Sequence, residues 1–121
     1  MHKLTGNVKL EPSIVAASYT EGSTDPSPIE VDVKDSQSVM LFADVSTLNT
    51  AELVLHLQGA EESGGTFEDL GTVSITETGQ FKVEVQQPPR YIQITADQDS
   101  STEDVFGAYV LAGNAETLPI K

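Results

Sequence analysis

The sequence predicts an all-β fold, an antiparallel β-sandwich of about eight strands with a jelly-roll or immunoglobulin-like strand order and extended terminal arms. Apolar side chains recur at every second position along several segments, which is the pattern of a strand with one buried face. Turn-forming residues separate these segments at intervals of about 8–12 residues. The length of 121 residues is that of one domain, and no window has a persuasive helical pattern, since residues 48–57, the best candidate, favour a period of two.

The first three strands are predicted from progressively denser apolar patterns. Residues 13–20 and 29–34 form the first two, and apolar and charged residues alternate strictly in the second. Residues 38–45 are apolar almost throughout, which predicts a strand that is covered on both faces. On that strand, Met40 and Phe42 are expected to point to the opposite side from Val39, Leu41, Ala43 and Val45.

Five more strands are predicted in the second half of the chain, over residues 52–58, 66–75, 81–86, 90–96 and 105–112. The clearest alternation is that of Phe81, Val83 and Val85, which are separated by polar residues. Pro88 and Pro89 end this strand, because proline has no N–H for the ladder. The inward positions of all strands form the predicted core: Val31, Val33, Val39, Leu41, Leu53, Leu55, Leu57, Val73, Ile75, Phe81, Val83, Val85, Ile92, Ile94, Phe106, Ala108 and Val110.

One sandwich domain is expected over residues 13–112, between an N-terminal arm of residues 1–12 and a C-terminal tail of residues 113–121. No stretch approaches the roughly 20 apolar residues of a membrane span. The beginning of the chain lacks the apolar run of a signal peptide. We therefore expect a soluble protein that is made in a cytoplasm and has no membrane partner.

Charge is the strongest compositional signal. Nineteen acidic residues and six basic residues give a formal net charge of −13. Nucleic-acid binding depends on Lys and Arg side chains that neutralise phosphates, so we expect no nucleic-acid partner. The charge would keep crowded copies soluble through mutual repulsion, or it is an adaptation to high salt, where such repulsion is screened.

No group of residues predicts an enzyme or a cofactor site. The chain has no cysteine, and neither His2 nor His56 accompanies a nucleophile motif such as Gly-x-Ser-x-Gly. His56 is expected to lie on or beside a sheet face. The carboxylate pairs Glu61–Glu62 and Glu68–Asp69 match a glycosidase by residue type alone, and solvated surface positions are favoured for them.

The candidate for a metal site is the acidic loop that follows the seventh predicted strand. Asp97, Asp99 and Glu103 offer carboxylates with part of the spacing that Ca²⁺ prefers. The sequence lacks the turn glycine and the flanking helices of an EF-hand. The favoured interpretation is a solvated hairpin loop that holds no metal.

Between Asp44 and Ala112 the strands and turns follow a characteristic layout. It runs through Asp44-Val45-Ser46, Glu52-Leu53-Val54-Leu55-His56-Leu57-Gln58-Gly59, Gly64-Gly65-Thr66-Phe67-Glu68-Asp69-Leu70, Val73-Ser74-Ile75-Thr76-Glu77-Thr78-Gly79, Arg90-Tyr91-Ile92-Gln93-Ile94 and Phe106-Gly107-Ala108-Tyr109-Val110-Leu111. This layout resembles a loose group of small β-sandwich structural proteins, the capsid decoration and minor head proteins of tailed bacteriophages and archaeal tailed viruses.

The resemblance implies a virion protein with no enzymatic activity and no cofactor. Such a protein is made in the host cytoplasm and binds the major capsid protein, or another virion protein, at the capsid surface as a homo-oligomer, with a trimer favoured. The acidic composition would fit a virus of a halophilic archaeon. Two alternatives stay open, a receptor- or glycan-binding module of a tail or turret and a head–tail connector or tail subunit.

The N-terminal arm is the predicted partner-contact segment. Leu4, Val8, Lys9 and Leu10 combine bulky apolar side chains with one of the few cations, which would suit docking onto an acidic capsid surface. Residues 118–121 are a second arm, and either arm would add a strand to the open sheet edge of a neighbouring subunit. Plain terminal disorder is the equally weighted alternative for both arms.

Overall fold

A computed structural model describes residues 8–19, 28–34, 36–49, 51–98 and 103–113, and it describes side chains from Leu10 onward. The eight strands are β1 (Val8–Tyr19), β2 (Val31–Asp32), β3 (Ser38–Thr47), β4 (Leu53–Ala60), β5 (Glu68–Ile75), β6 (Gly79–Gln86), β7 (Tyr91–Asp97) and β8 (Asp104–Gly113). They form two antiparallel sheets of four strands, which confirms the predicted sandwich.

The strand order identifies the sandwich as a jelly roll. Sheet A has the order β1-β8-β3-β6, and sheet B has the order β2-β7-β4-β5. The chain therefore crosses between the sheets after almost every strand, which is the double Greek key of an eight-stranded jelly roll. This order decides between the two topologies that the sequence left open.

The core lies between the sheets and is built by the alternating inward positions. On β4, Leu53, Leu55 and Leu57 are fully buried while the residues between them face outward. The predicted core is observed except that four of its members are only partly buried: Val73, Phe81, Val83 and Val85. These four lie on β5 and β6, and each of these strands is the edge of its sheet, so one flank of each strand has no neighbour. The core also contains Ile14, Ala43, Val45 and Ala112.

Strand β1 begins earlier than the sequence predicts. It pairs with β8 from Val8, opposite Gly113, to Tyr19, opposite Asp104. Residues 8–12, which the sequence assigned to the arm, are held by this pairing although they do not alternate in hydropathy. Pro12 is tolerated because β1 is an edge strand of sheet A. The second predicted strand is reduced to Val31–Asp32.

A buried serine joins the two sheets. Ser13 lies where the register of β1 shifts, and its side chain is inaccessible to solvent. Its hydroxyl donates to the carbonyl of Ile29 at 2.8 Å and accepts from the amide of Ile94 on β7 at 2.8 Å. One side chain thus links an edge strand of sheet A to an inner strand of sheet B and satisfies a buried backbone N–H.

Among the described residues, no helix has the length and apolar character that crossing a lipid bilayer requires.

Candidate functional site

The outer surface of sheet A carries a set of apolar side chains, which we call the apolar face. Leu41 and Val110 point into the core, so the residues next to them on β3 and β8 point outward. Leu111 on β8 pairs in register with Leu10 on β1 and with Met40 on β3, which makes one apolar row across three strands.

A second row lies two residues further along the same strands. Tyr109 on β8 pairs with Phe42 on β3, and Phe42 pairs with Lys82 on β6. The rings of Phe42 and Tyr109 are 6.5 Å apart between centroids and tilted by 44°. The apolar face thus consists of Leu10, Met40, Phe42, Tyr109 and Leu111.

An open groove of about 310 Å³ runs between these two rows. Its lining is Leu10, Met40, Phe42, Lys82 and Leu111. Met40 and Leu111 form its floor, with 3% and 7% of their surface exposed, whereas Leu10 stands on its rim and is 61% exposed. Such a groove can accommodate an apolar side chain, because filling it would remove further apolar surface from water.

Charges of both signs lie beside the groove on β6. On β6, Lys82 and Glu84 occupy successive outward positions, opposite Phe42 and Met40 respectively. The whole chain carries a formal net charge of −13. The apolar face is therefore a region where another protein surface can approach with little of the repulsion that the rest of the molecule exerts.

The outer surface of sheet B has the opposite character, and we call it the polar face. The imidazole of His56 lies between two carboxylates, with Nε2 at 2.9 Å from Oδ2 of Asp97 and Nδ1 at 3.2 Å from Oδ2 of Asp69. Gln58 donates to Oδ1 of Asp69 at 2.8 Å and accepts from Nε2 of Gln93 at 3.0 Å. These side chains bond mainly to one another, so the polar face is a connected network.

The carboxylates of the predicted metal candidate have other partners. Asp97 bonds to His56, and the carboxylate of Glu103 accepts a hydrogen bond from the hydroxyl of Ser18. Asp99 lies outside the described residues. Within the described part of the chain, no three His, Asp or Glu side chains are arranged to hold a metal ion.

The end of the sandwich next to this loop is closed by a buried carboxylate. Asp104 is inaccessible to solvent and accepts from the amide of Asn49 at 2.6 Å and from Nε2 of Gln98 at 2.7 Å. Gln98 also donates to the carbonyl of Tyr19 at 3.1 Å. Three chain segments are thus tied together by side-chain hydrogen bonds.

Of the four predicted partner-contact residues, the structure describes the side chain of one. Leu10 lies on the rim of the groove. Val8 and Lys9 form the first residues of β1, and their side chains are not described. Leu4 lies outside the described residues.

Sequence reasoning placed Met40 and Phe42 on the opposite side of the strand from Leu41, but it did not predict that Tyr109 and Leu111 join them on an outer face. The sequence of β8 contains an indication of Tyr109 and Leu111, because bulky residues occupy its outward as well as its inward positions.

Solved structures share this fold, whereas no family model and no curated protein matches the sequence. The SPBc2 prophage-derived protein YomS superposes with a TM-score of 0.59 at 14% identity, over 88% of this chain and 94% of that one. The PBSX exported protein XepA gives 0.59 at 12% identity, over 100% of this chain and 41% of that one, so this chain spans less than half of XepA. Murine APRIL gives 0.52 at 13% identity, over 86% and 97%.

At such identities the likeness shows the fold alone. The chain is a jelly-roll β-sandwich protein, and this fold occurs in a prophage-derived protein as well as in a murine one.

Proposed function

We propose that this chain is a structural protein of a viral particle, a decoration protein that binds the outer surface of the major capsid lattice through its apolar face. The observation that carries the proposal is the apolar groove whose rim residue, Leu10, is exposed on a chain with a net charge of −13. Its likeness to prophage-derived YomS supports the viral context, and jelly rolls are common in capsid proteins.

The mechanism is burial of surface rather than chemistry. A protein interface of standard size buries about 1,600 Å² in total. The apolar face would supply the centre of such an interface, and Lys82 and Glu84 would lie at its polar rim. Many copies on one lattice then add their individual free energies, because each bound copy bridges neighbouring capsid subunits and raises the free energy of pulling them apart.

The terminal segments extend this interface in the proposal. Leu10 belongs to both the groove and the predicted arm, so Lys9, Val8 and Leu4 would continue the contact from the rim of the groove. Copies would associate as trimers on the lattice, where an arm adds a strand to the open edge of a neighbour. The negative charge of the remaining surface keeps unbound copies apart, and it would suit a high-salt host.

The test is the location of the chain in purified particles of the virus whose genome encodes it. We expect a constant copy ratio to the major capsid protein. Cryo-electron microscopy should show the sandwich outside the lattice, with the apolar face turned toward the capsid. Absence of the chain from the particles contradicts a virion role. Presence as a six-fold ring at a portal or tail would instead assign the connector role.

A glycan-binding role is the second candidate, and one observation favours it. On the polar face, the amides of Gln58 and Gln93 lie in one hydrogen-bonded row, and the guanidinium of Arg90 lies 5.1 Å from the ring centre of Tyr91 near its end. Planar polar groups beside an aromatic ring are the elements of many sugar sites. Calorimetric titration with a glycan panel tests this role, with Gln93→Ala as the variant that should abolish any binding.

A further inference from the structure

We propose that two copies of this chain pair through the free edges of their β6 strands, antiparallel about a two-fold axis at Val83, so that their A sheets join into one continuous sheet. The occupant of this edge is thus a second copy, held in one register. The pairing does not rest on the proposed function. It is also separate from the trimer contact proposed there, because a two-fold axis brings the same edge of both copies together.

Strand β6 is the edge that is best suited to receive another strand. Among the edge strands of the two described sheets, β2 has two residues, and β1 contains Pro12 and two shifts of register. Strand β5 carries the carboxylates of Glu68 and Asp69 and no cation. In contrast, β6 pairs with β3 over all of Gly79–Gln86 without a shift and contains no proline. Its other flank is therefore a regular row of backbone groups, the kind of edge that a further strand extends.

The inward side chains of β6 favour the arrival of a second strand. Phe81, Val83 and Val85 pack against the core but are only partly buried, because β6 is the last strand of its sheet. A second β6 strand beside them would cover this open flank and remove further apolar surface from water. This burial would add to the backbone hydrogen bonds that the two edges form with each other.

The charges on β6 select one register. Lys82 and Glu84 are exposed and point outward on either side of Val83. With the two-fold axis at Val83, Lys82 of each copy lies directly opposite Glu84 of the other. Moving the axis by one residue in either direction sets Lys82 against Lys82, or Glu84 against Glu84. Opposite charges on directly opposed residues stabilise an antiparallel pair and like charges destabilise it, so the axis at Val83 is favoured.

This edge is also a place where two acidic copies can approach each other. The chain has a net charge of −13, but β6 carries one Lys, one Glu and otherwise uncharged residues. None of the described carboxylates forms a salt bridge with Lys82, so its charge is open to a partner. The negative charge of the remaining surface opposes other orientations. Salt shortens the reach of this repulsion, from about 10 Å at 0.1 M to about 3 Å at 1 M.

The pairing would join the two apolar faces. Met40 pairs with Glu84 and Phe42 pairs with Lys82 within one copy. In the joined sheet, the row that contains Met40 therefore continues through Glu84 to Lys82 and Phe42 of the second copy. Both grooves then lie on the same side of one continuous sheet, so a two-fold pair would present them together to a common partner.

The absence of cysteine from the sequence allows a direct test by disulfide formation. In the variant Val83→Cys the two thiols of a pair face each other, and directly opposed Cα atoms lie about 4.5–5.5 Å apart, within the range of a disulfide. The matched control is Val85→Cys, which is also partly buried on the same face but lies opposite Phe81 of the second copy.

Under mild oxidation in about 0.5 M NaCl, where the screening length is about 4 Å, we expect Val83→Cys to form a linked dimer much faster than Val85→Cys. A non-reducing gel measures both rates, and the expected ratio is at least about tenfold. Equal rates overturn the proposal. A faster reaction of Val85→Cys overturns it as well, because the axis would then not lie at Val83.

Charge reversal tests the register without cysteine. A strand pair is a small interface, below about 1,200 Å², so sedimentation equilibrium should extend to about 1 mM chain. Glu84→Lys sets Lys against Lys at two symmetric positions and should raise the dimer dissociation constant at least about tenfold, although it makes the net charge less negative. Glu61→Lys, in the turn after β4, changes the net charge equally and should not weaken the dimer. The exchange Lys82→Glu/Glu84→Lys should restore the dissociation constant to within about threefold.

Three results of this experiment would overturn the pairing: a monomer throughout the concentration range, equal weakening by Glu84→Lys and Glu61→Lys, or no recovery in the exchange variant. Failure of the proposed function is seen separately. Dimers that form in the expected register but do not attach to purified capsids would support the pairing and refute the decoration role. Capsid attachment by a chain that stays monomeric would refute the pairing alone.

Discussion

The two outer faces of the sandwich are built on the same inward pattern and differ in their outward positions. On β3, Met40 and Phe42 point outward on either side of Leu41, which lies in the core. On β4, His56 and Gln58 point outward on either side of Leu57, which lies in the core as well. The inward residues of both strands specify the same sandwich. The outward residues are free of that requirement, and the apolar residues on β3 are the basis for proposing this face as a partner-binding surface.

Among substitutions on the two outer faces, we expect the largest loss of stability at the floor of the groove. Met40→Ala should lower the free energy of unfolding by about 2–3 kcal/mol, because Met40 is 3% exposed and its loss leaves a cavity beside Leu111. The matched change on the polar face is Gln58→Ala, whose expected effect is below about 1 kcal/mol. Urea denaturation of both variants measures the difference. Equal effects would mean that the two faces contribute alike to stability.

Loss of the Ser13 hydrogen bonds that join the two sheets is expected to lower stability somewhat less. Ser13→Ala should destabilise the fold by about 1–2 kcal/mol, because the buried amide of Ile94 loses its acceptor. Ser74→Ala is the control, since Ser74 bonds to Glu52 on the exposed surface of sheet B. Urea denaturation should show a single transition for Ser13→Ala. A transition in two steps would reveal that the sheets unfold separately.

The smallest effect on stability is expected on the polar face. His56→Gln removes the contacts with Asp69 and Asp97, which are largely open to solvent, and with a protonated imidazole as the reference it should lower the unfolding free energy by about 0.5–1 kcal/mol at low salt. At 1 M salt, where the screening length is about 3 Å, the difference from the unmodified chain should shrink. A loss that is the same at both salt concentrations would show that packing of the ring, rather than charge, is responsible.

The sequence predicts those parts of the fold that depend on residues close together in the chain. Leu53, Leu55 and Leu57 alternate within one strand, so the core position of β4 was predictable. The alternation predicts Phe81 and Val83 as core residues, and they are only half-buried because the strand order places β6 at an edge.

The groove could not be predicted, because it combines residues that are distant in sequence. Leu10, Met40 and Leu111 come from three strands, and their contact depends on β8 lying between β1 and β3. The composition of the N-terminal arm predicts Leu10 as a contact residue, but it does not predict the groove of sheet A to which Leu10 belongs. Likewise, the bonding of Ser13 depends on how the two sheets are stacked, and its sequence context contains no sign of a buried hydroxyl.

The most direct test of the apolar face as the partner-binding surface compares one residue on each face. Leu10→Ser should leave stability within about 0.5 kcal/mol of the unmodified chain, because Leu10 is 61% exposed. Its attachment to purified capsids, measured by co-sedimentation, should weaken by at least about tenfold, the effect of about 1.4 kcal/mol of lost apolar burial. His56→Gln should attach as the unmodified chain does. Undiminished attachment of Leu10→Ser, or weaker attachment of His56→Gln alone, would contradict the account.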